Sequence, residues 1–311
     1  MEFIKTRTNI DFMGKRKLAC WISGILSVIS VALFFGYGMN YGIDFTGGTV
    51  VEFGYSKPAD LDTVRGALAQ SDFSDASVQY FGSAHEILVR VPPKEGLNTA
   101  DISNRLIDLL RDSGEGVEMR RVEFVGPQVG DELKEDGVLA MIYAMIGIMI
   151  YLAFRFQTYF SVGAIVATVH DVLIVVGFLA ITQMNFDLSV LAAILTVIGY
   201  SINDTVVVFD RIRENFHKLR KATPIDVMNI SLNETLSRTI MTGVTTLLVL
   251  VALLAFGGES LRSFSVTIIV GIVIGTYSSI YIASPVTLAM GIDRKHLMPV
   301  VKEGAELDSL P

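Results

Sequence analysis

The sequence predicts an α-helical integral membrane protein with six transmembrane helices and one extracytoplasmic α+β domain. Three observations predict it. Hydrophobic residues make up 51% of the 311 positions and charged residues 18%, with a mean hydropathy of +0.52, too apolar for a soluble domain of this length. Six apolar runs, about 18–38, 137–154, 160–181, 188–209, 239–256 and 264–289, are long enough to cross a bilayer. The stretch 39–136 between the first two differs in character, with short strand-like runs and amphipathic helical patterns.

The N-terminal segment 1–17 is basic. The run 18–38 that follows is longer than a secretory h-region and lacks an A-x-A-like cleavage site, so it is expected to remain as a helix. The single cysteine, Cys20, lies in it, which rules out an intrachain disulfide. Within 39–136 the runs 48–55 (GTVVEFGY), 77–82 (SVQYFG), 86–91 (EILVRV) and 118–125 (EMRRVEFV) are expected as strands. Helices are expected over 59–70, entered at Pro58, and over 99–112, entered at Asn98 and Thr99. The order βαββαβ is the ferredoxin-like split arrangement, with a hairpin at Gly82–His85. His85 is expected to be a solvated turn residue. Residues 137–289 complete the bundle. The link 210–238 is expected to be partly ordered, with Thr223 capping a helix that starts at Pro224. Ile225, Met228, Ile230 and Leu232 would give that helix an interfacial apolar face. Residues 290–311 form a tail.

Orientation follows from Lys and Arg in the short segments. Lys5, Arg7, Lys15, Arg16 and Lys17 precede the first span. Arg155 follows the second, and Arg211, Arg213, Lys218, Arg220, Lys221 and Arg238 lie in 210–238. Arg294, Lys295 and Lys302 lie in the tail. The links on the other side are nearly devoid of them, with none in 182–187 and Arg262 alone in 257–263. Both termini are therefore expected in the cytoplasm and 39–136 outside.

Asp204 is the residue that points to chemistry. It interrupts LSVLAAILTVIGYSINDTVVVF, residues 188–209, about three-quarters of the way along. A charge at that depth costs on the order of 3 kcal/mol on insertion scales, so such groups are paired or functional. Thr196, Gly199, Tyr200, Asn203 and Asp204 share one helical face. Arg238 begins a second stripe with Thr242, Thr245 and Thr246. Both ionisable groups lie at similar depth and are expected to pair. The pair either exchanges a proton or fixes helix packing, and Arg238 can instead snorkel to the interface. His170 and Asp171, mid-way along the third span, allow a proton relay or a packed hydrogen-bonded pair. Gly271 and Gly275, with Thr267 and Ser278, form a small-residue face for close packing or sliding.

Several chemistries are not visible. There is no G-x-x-x-x-G-K-[ST] and no G-x-G-x-x-G after a strand; the four His are scattered without metal-ligand spacing, and no Ser/His/Asp arrangement appears. A net charge of −7 argues against nucleic-acid binding. The expectation is therefore no enzyme and no cofactor, with an ion gradient as the energy source.

The segments GIDFTGG (42–48), VGPQVGDEL (125–133), HDV (170–172), TVIGYSINDTVVVFDRIREN (196–215) and NETLSRTIMTG (233–243) resemble the SecD/SecF family of protein-export membrane proteins, in the resistance-nodulation-division superfamily. The resemblance covers essentially the whole chain. It implies pairing with SecD into a pseudo-symmetric twelve-helix unit, and association with the SecYEG translocon and YajC in the bacterial inner membrane. It also implies use of the proton-motive force to draw unfolded secretory polypeptides across. Onto Asp204 and Arg238 it carries proton-linked roles. Two other readings remain. One is a proton-coupled small-solute exporter half, which would call for larger outer domains. The other is a translocon subunit without proton coupling, against which the polar stripes speak.

Overall fold

The computed structural model describes residues 8–94, 96–113 and 116–293; Lys5, Arg7, Arg294, Lys295 and Lys302 lie outside these. The chain opens with α1 (Arg16–Tyr37) and a short α2 (Ile43–Thr46). It then builds β1 (Gly48–Tyr55), α3 (Leu61–Ala69), β2 (Ser77–Phe81), β3 (Ser83–Val91), α4 (Thr99–Ser113) and β4 (Val117–Val125). It returns to the bundle through α5 (Pro127–Arg155), α6 (Thr158–Thr182), α7 (Leu188–Lys218) and α8 (Pro224–Phe256). The last span consists of α9 (Arg262–Ser278), a π-helical turn (Ser279–Ala283) and α10 (Ser284–Ala289). Among the described residues, six spans are long and apolar enough to cross a membrane.

Three spans are central and three flank them. In the apolar windows of α6, α7 and the last span, 50–56% of residues are buried; in those of α1, α5 and α8 the share is 11–17%. Phe160 and Phe209 pack in the core with their ring centroids 4.9 Å apart and their planes tilted by 54°, and Leu179, Ile194, Ile198 and Ile272 are also buried there. Glycines set the closest approaches. A Cβ on Gly271 would lie 2.1 Å from Val197 Cγ2, and one on Gly275 3.0 Å from Ser201 Cβ. The small-residue face is thus the α9–α7 contact. In lipid, where apolar side chains gain nothing by leaving their surroundings, such backbone-close packing supplies the attraction.

The four strands form an antiparallel sheet in the order β2-β3-β1-β4, the ferredoxin-like arrangement. Val51 and Phe53 of β1 and Ile87 and Val89 of β3 bury one face together with Val64, Leu68, Leu106 and Leu110 of α3 and α4. The domain is clasped to the bundle by Arg90. Its guanidinium donates to Asn40 Oδ1 (3.2 Å), to the Tyr41 carbonyl (2.7 Å) and to Asn185 Oδ1 (2.5 Å). Burial lowers the Arg90 pKa from the ordinary arginine value, opposed by Asp187 and Asp44. A second join lies at Gly47 and Gly48, between α2 and β1. Both take positive φ (68° and 117°), and a Cβ on Gly47 would stand 2.9 Å from Pro127 Cα.

Several boundaries differ from those read in the sequence, and the reasons are local. α5 starts at Pro127 rather than 137, because proline suits the first helical position and the polar turns that follow favour helix. Helix also fills most of 210–238. Hydropathy marks where the apolar run ends, whereas Arg, Glu and Lys continue the helix to Lys218. Thr223 then caps α8 in a capping box with Asp226. Met228 and Leu232 pack into the bundle core rather than along an interface, and Ile230 is exposed. The helix over 61–69 is capped by Asp60, whose carboxylate accepts from the Asp62 amide, and not at Pro58. The hairpin is tighter than expected: Gly82, at φ 74°, turns the chain, which places the exposed His85 inside β3.

Candidate functional site

The buried polar groups of the bundle gather where α6, α7, α8 and the last span meet. Asp204 on α7 is 7% exposed. Its Oδ1 accepts from Thr239 Oγ1 on α8 at 2.6 Å, and its Oδ2 accepts from Ser279 Oγ at 2.8 Å. Asp171 on α6 is fully buried. Its Oδ2 accepts from Ser201 on α7 (2.5 Å) and from Ser278 (2.8 Å), while Oδ1 lies 3.0 Å from His170 Nδ1. Two carboxylates on neighbouring helices are therefore held by adjacent serines of the last span. Among the described residues His170 Nε2 is buried without a hydrogen-bond partner, and its ring lies 6.4 Å from that of Tyr277.

The expected contact between Asp204 and Arg238 does not form. Arg238 is exposed, and among the described residues its guanidinium makes no hydrogen bond or ion pair. Its charge reaches Asp204 through space. The reason is helical phase. Arg238 and Thr239 are about 100° apart around α8, and Thr239 is the one turned inward. Hydroxyls both donate and accept, so the Thr239–Ser279 shell accommodates either form of the carboxyl group.

The rest of the two stripes faces outward. Thr196, Gly199 and Asn203 on α7 are exposed, and Tyr200 is half-buried, its hydroxyl lacking a partner among the described residues. Thr242 and Thr245 on α8 are exposed and donate to carbonyls of their own helix. These side chains give the flank of α7 and α8 a polar surface at membrane depth. Sequence reasoning missed Thr239, Ser201 and Ser279, and took Ser278 as a packing residue. The signal was the pair Ser278-Ser279, two adjacent hydroxyls in an apolar span.

Residues 105–293, more than half the chain, match the family described as protein export membrane protein SecD/SecF, C-terminal, and residues 32–59 match the SecD/SecF GG motif. The chain belongs to the SecD/SecF protein-export family. The GG motif contains Gly47 and Gly48 at the join described above. The protein translocase subunit SecF of Vibrio alginolyticus is 47% identical over 313 residues, covering 100% of this chain and 99% of that one. Its counterpart from Escherichia coli O157:H7 is 42% identical, covering 98% and 95%. The crystal structure of SecDF, a translocon-associated membrane protein from Thermus, superposes with a TM-score of 0.83 at 38% identity. A structure of SecDF in a super-membrane-facing form superposes with 0.69 at the same identity. Each covers 93% of this chain, and this chain spans 39% of the length of each. This chain thus corresponds to a part of each of those SecDF chains.

Proposed function

We propose that this SecD/SecF-family chain is the SecF-type half of a proton-driven export motor. It pairs with SecD, joins SecYEG and YajC, and uses the proton-motive force to assist translocation of unfolded secretory polypeptides. The unit sits in the bacterial cytoplasmic membrane with both termini inside and the sheet domain in the periplasm. It is not an enzyme and holds no cofactor; the proton is its coupling ion, with Asp204 as the group that takes it up.

The observation that carries this reading is the setting of Asp204. It is a buried carboxylate at membrane depth whose contacts are hydroxyls, beside a polar flank that six spans alone would leave against lipid. A polar flank of that kind calls for a partner in the membrane. A proton crossing 100 mV delivers about 2.3 kcal/mol, enough to bias two packings of a bundle. Arg238 acts on Asp204 as a neighbouring charge rather than as a contact partner. Asn203, Tyr200, Thr196 and Thr242 line the flank that SecD would cover, and His170 and Asp171 brace the same helices from behind.

The test is Asp204→Asn, which removes the titrating group and keeps its shape. Membrane insertion and assembly with the partner should be normal, while gradient-dependent export is lost. Export that still responds to the gradient would favour a scaffold without proton coupling.

A further inference from the structure

The last span changes its helical register where it meets the two carboxylates. Pro285 has no amide hydrogen, so the Tyr281 carbonyl, which it would serve in an unbroken α-helix, is left to other donors. Cys20 Sγ on α1 donates to that carbonyl at 3.4 Å, and Ser284 Oγ donates to the Ser279 carbonyl at 3.1 Å. The result is the π turn Ser279–Ala283, a form that occurs mostly as single turns inside α-helices, frequently at functional sites. Its first residue, Ser279, holds Asp204, and the residue before it, Ser278, holds Asp171.

Hydrogen-bond counting makes the two ends of this arrangement unequal. Ionised Asp204 accepts from both Thr239 and Ser279. A protonated carboxyl group must place its own hydrogen on an acceptor, so one of the two hydroxyls stops donating to it. Among the described residues Thr239 Oγ1 donates to Asp204 alone, whereas Ser279 Oγ already has a second acceptor, the Thr276 carbonyl at 3.0 Å. Ser279 is the one free to turn away. Its charge-assisted bond to α7 then becomes a neutral one, roughly half as strong, in which the carboxyl donates to Ser279 Oγ while the serine's own hydrogen goes to the Thr276 carbonyl. The other ionisable groups at this junction are Arg238, acting through space from α8, and the Asp171–His170 pair on α6, with Tyr277 beside His170. Ser278, one residue before the turn, is held in the same way, by Asp171 Oδ2 at 2.8 Å and the Gly275 carbonyl at 3.1 Å, and a change at Asp204 does not release it.

We propose that Ser279 is a positioning residue that passes the protonation state of Asp204 to the π turn of the last span, with Ser278 and Asp171 as its fixed point. The proposal rests on the reading that Asp204 takes up a proton.

Cys20 is the only cysteine of the chain and touches the turn, so its alkylation by N-ethylmaleimide reports on it. The rate is followed on this chain, assembled with its partner in membranes, at one fixed pH. Asp204→Asn should raise it several-fold, Ser279→Ala should raise it to the same level, and the double variant should go no further. Thr239→Val, of the same shape, vacates the competing position on the carboxylate. Cys20 should then stay slow, and adding Asp204→Asn should raise the rate little. A wild-type rate in Ser279→Ala, simple addition in the double variant, or a full Asp204→Asn response in Thr239→Val each overturns the proposal. Gradient-dependent export that survives Asp204→Asn would instead overturn the proton reading, whatever Cys20 does.

Discussion

Two glycine-to-alanine substitutions in the sheet domain should move its stability in opposite directions. Gly48 opens β1 at φ 117°, and a Cβ there would lie 2.5 Å from the carbonyl oxygen of Val91 on the paired strand. That oxygen belongs to backbone and cannot swing aside. Backbone strain of this kind costs about 1–3 kcal/mol, and forcing an extra carbon into a packed site costs about 1–3 kcal/mol more. Gly48→Ala should therefore destabilise the domain by roughly 2–6 kcal/mol, a large part of the stability of a small domain. Gly66 is exposed on α3, with nothing among the described residues within 4 Å of its would-be Cβ. Gly66→Ala should stabilise by about 0.5–1 kcal/mol, since alanine loses less backbone freedom in a helix. The assay is pulse proteolysis of the domain in membranes across a urea series, which reads the fraction unfolded at each concentration. Equal midpoints for the two variants, or shifts of the same sign, would refute the conformational argument.

Gly271→Ala drives a methyl group into both methyls of Val197, so no rotation of Val197 clears it; the bundle should lose about 1–3 kcal/mol, seen as a lower Tm in detergent, and Val197→Ala should restore much of the loss. Arg238→Lys keeps the charge and should retain most gradient-dependent export, whereas Arg238→Met should impair it; equal loss in both would demand a direct contact with Asp204. A cysteine at the exposed Ser74 in a Cys20→Ser background should react with an impermeant thiol reagent in intact spheroplasts, and one at Lys221, in the turn before α8, only once the membrane is opened; the reverse pattern would invert the topology. Lys94 holds the Asp75 carboxyl below its ordinary pKa with a 2.6 Å hydrogen bond. A depressed folded-state pKa gives stability that is full above the unfolded value and lost as pH falls through the folded one, so the domain should weaken below about pH 4. Lys94→Met should flatten that slope by up to about 1 kcal/mol, because both groups are partly solvated; an unchanged urea–pH profile would refute it.

The six spans and the strand order were legible because their signals are long. An apolar run of twenty residues admits few alternatives, and four strands alternating with two helices leave one common arrangement. The partner of Asp204 was not legible. Depth along a span follows from counting residues, and that placed Arg238 and Thr239 equally well. Which of the two faces inward depends on the rotation of α8. Both sides of α8 there carry polar residues, so its pattern does not fix the rotation. Ser279 was hidden for another reason. Serine in an apolar span suits close packing as well as it suits a carboxylate, and only the neighbour across the contact separates the two. The break at the π turn had a visible cause in Pro285, yet apolar length alone runs straight through it.

α5 joins the two parts of the molecule without slack. β4 ends at Val125, Gly126 caps the helix, and Pro127 begins it, so the sheet domain is carried directly on the end of a 29-residue rod. At 1.5 Å per residue that rod is about 44 Å long. Its far end is pinned where Arg155 grips Asp210 of α7 at 2.7 Å. Asp210 lies six positions beyond Asp204 on the same helix. A tilt of about 10° around that pin would sweep the other end through about 8 Å. The geometry is that of a lever with its fulcrum on the helix that carries the buried carboxylate. The same tilt carries a point at the level of Asp204, about 9 Å from the pin, through only about 1.6 Å, so a small rearrangement there corresponds to a stroke of the sheet domain comparable to the rise of two or three residues of extended chain.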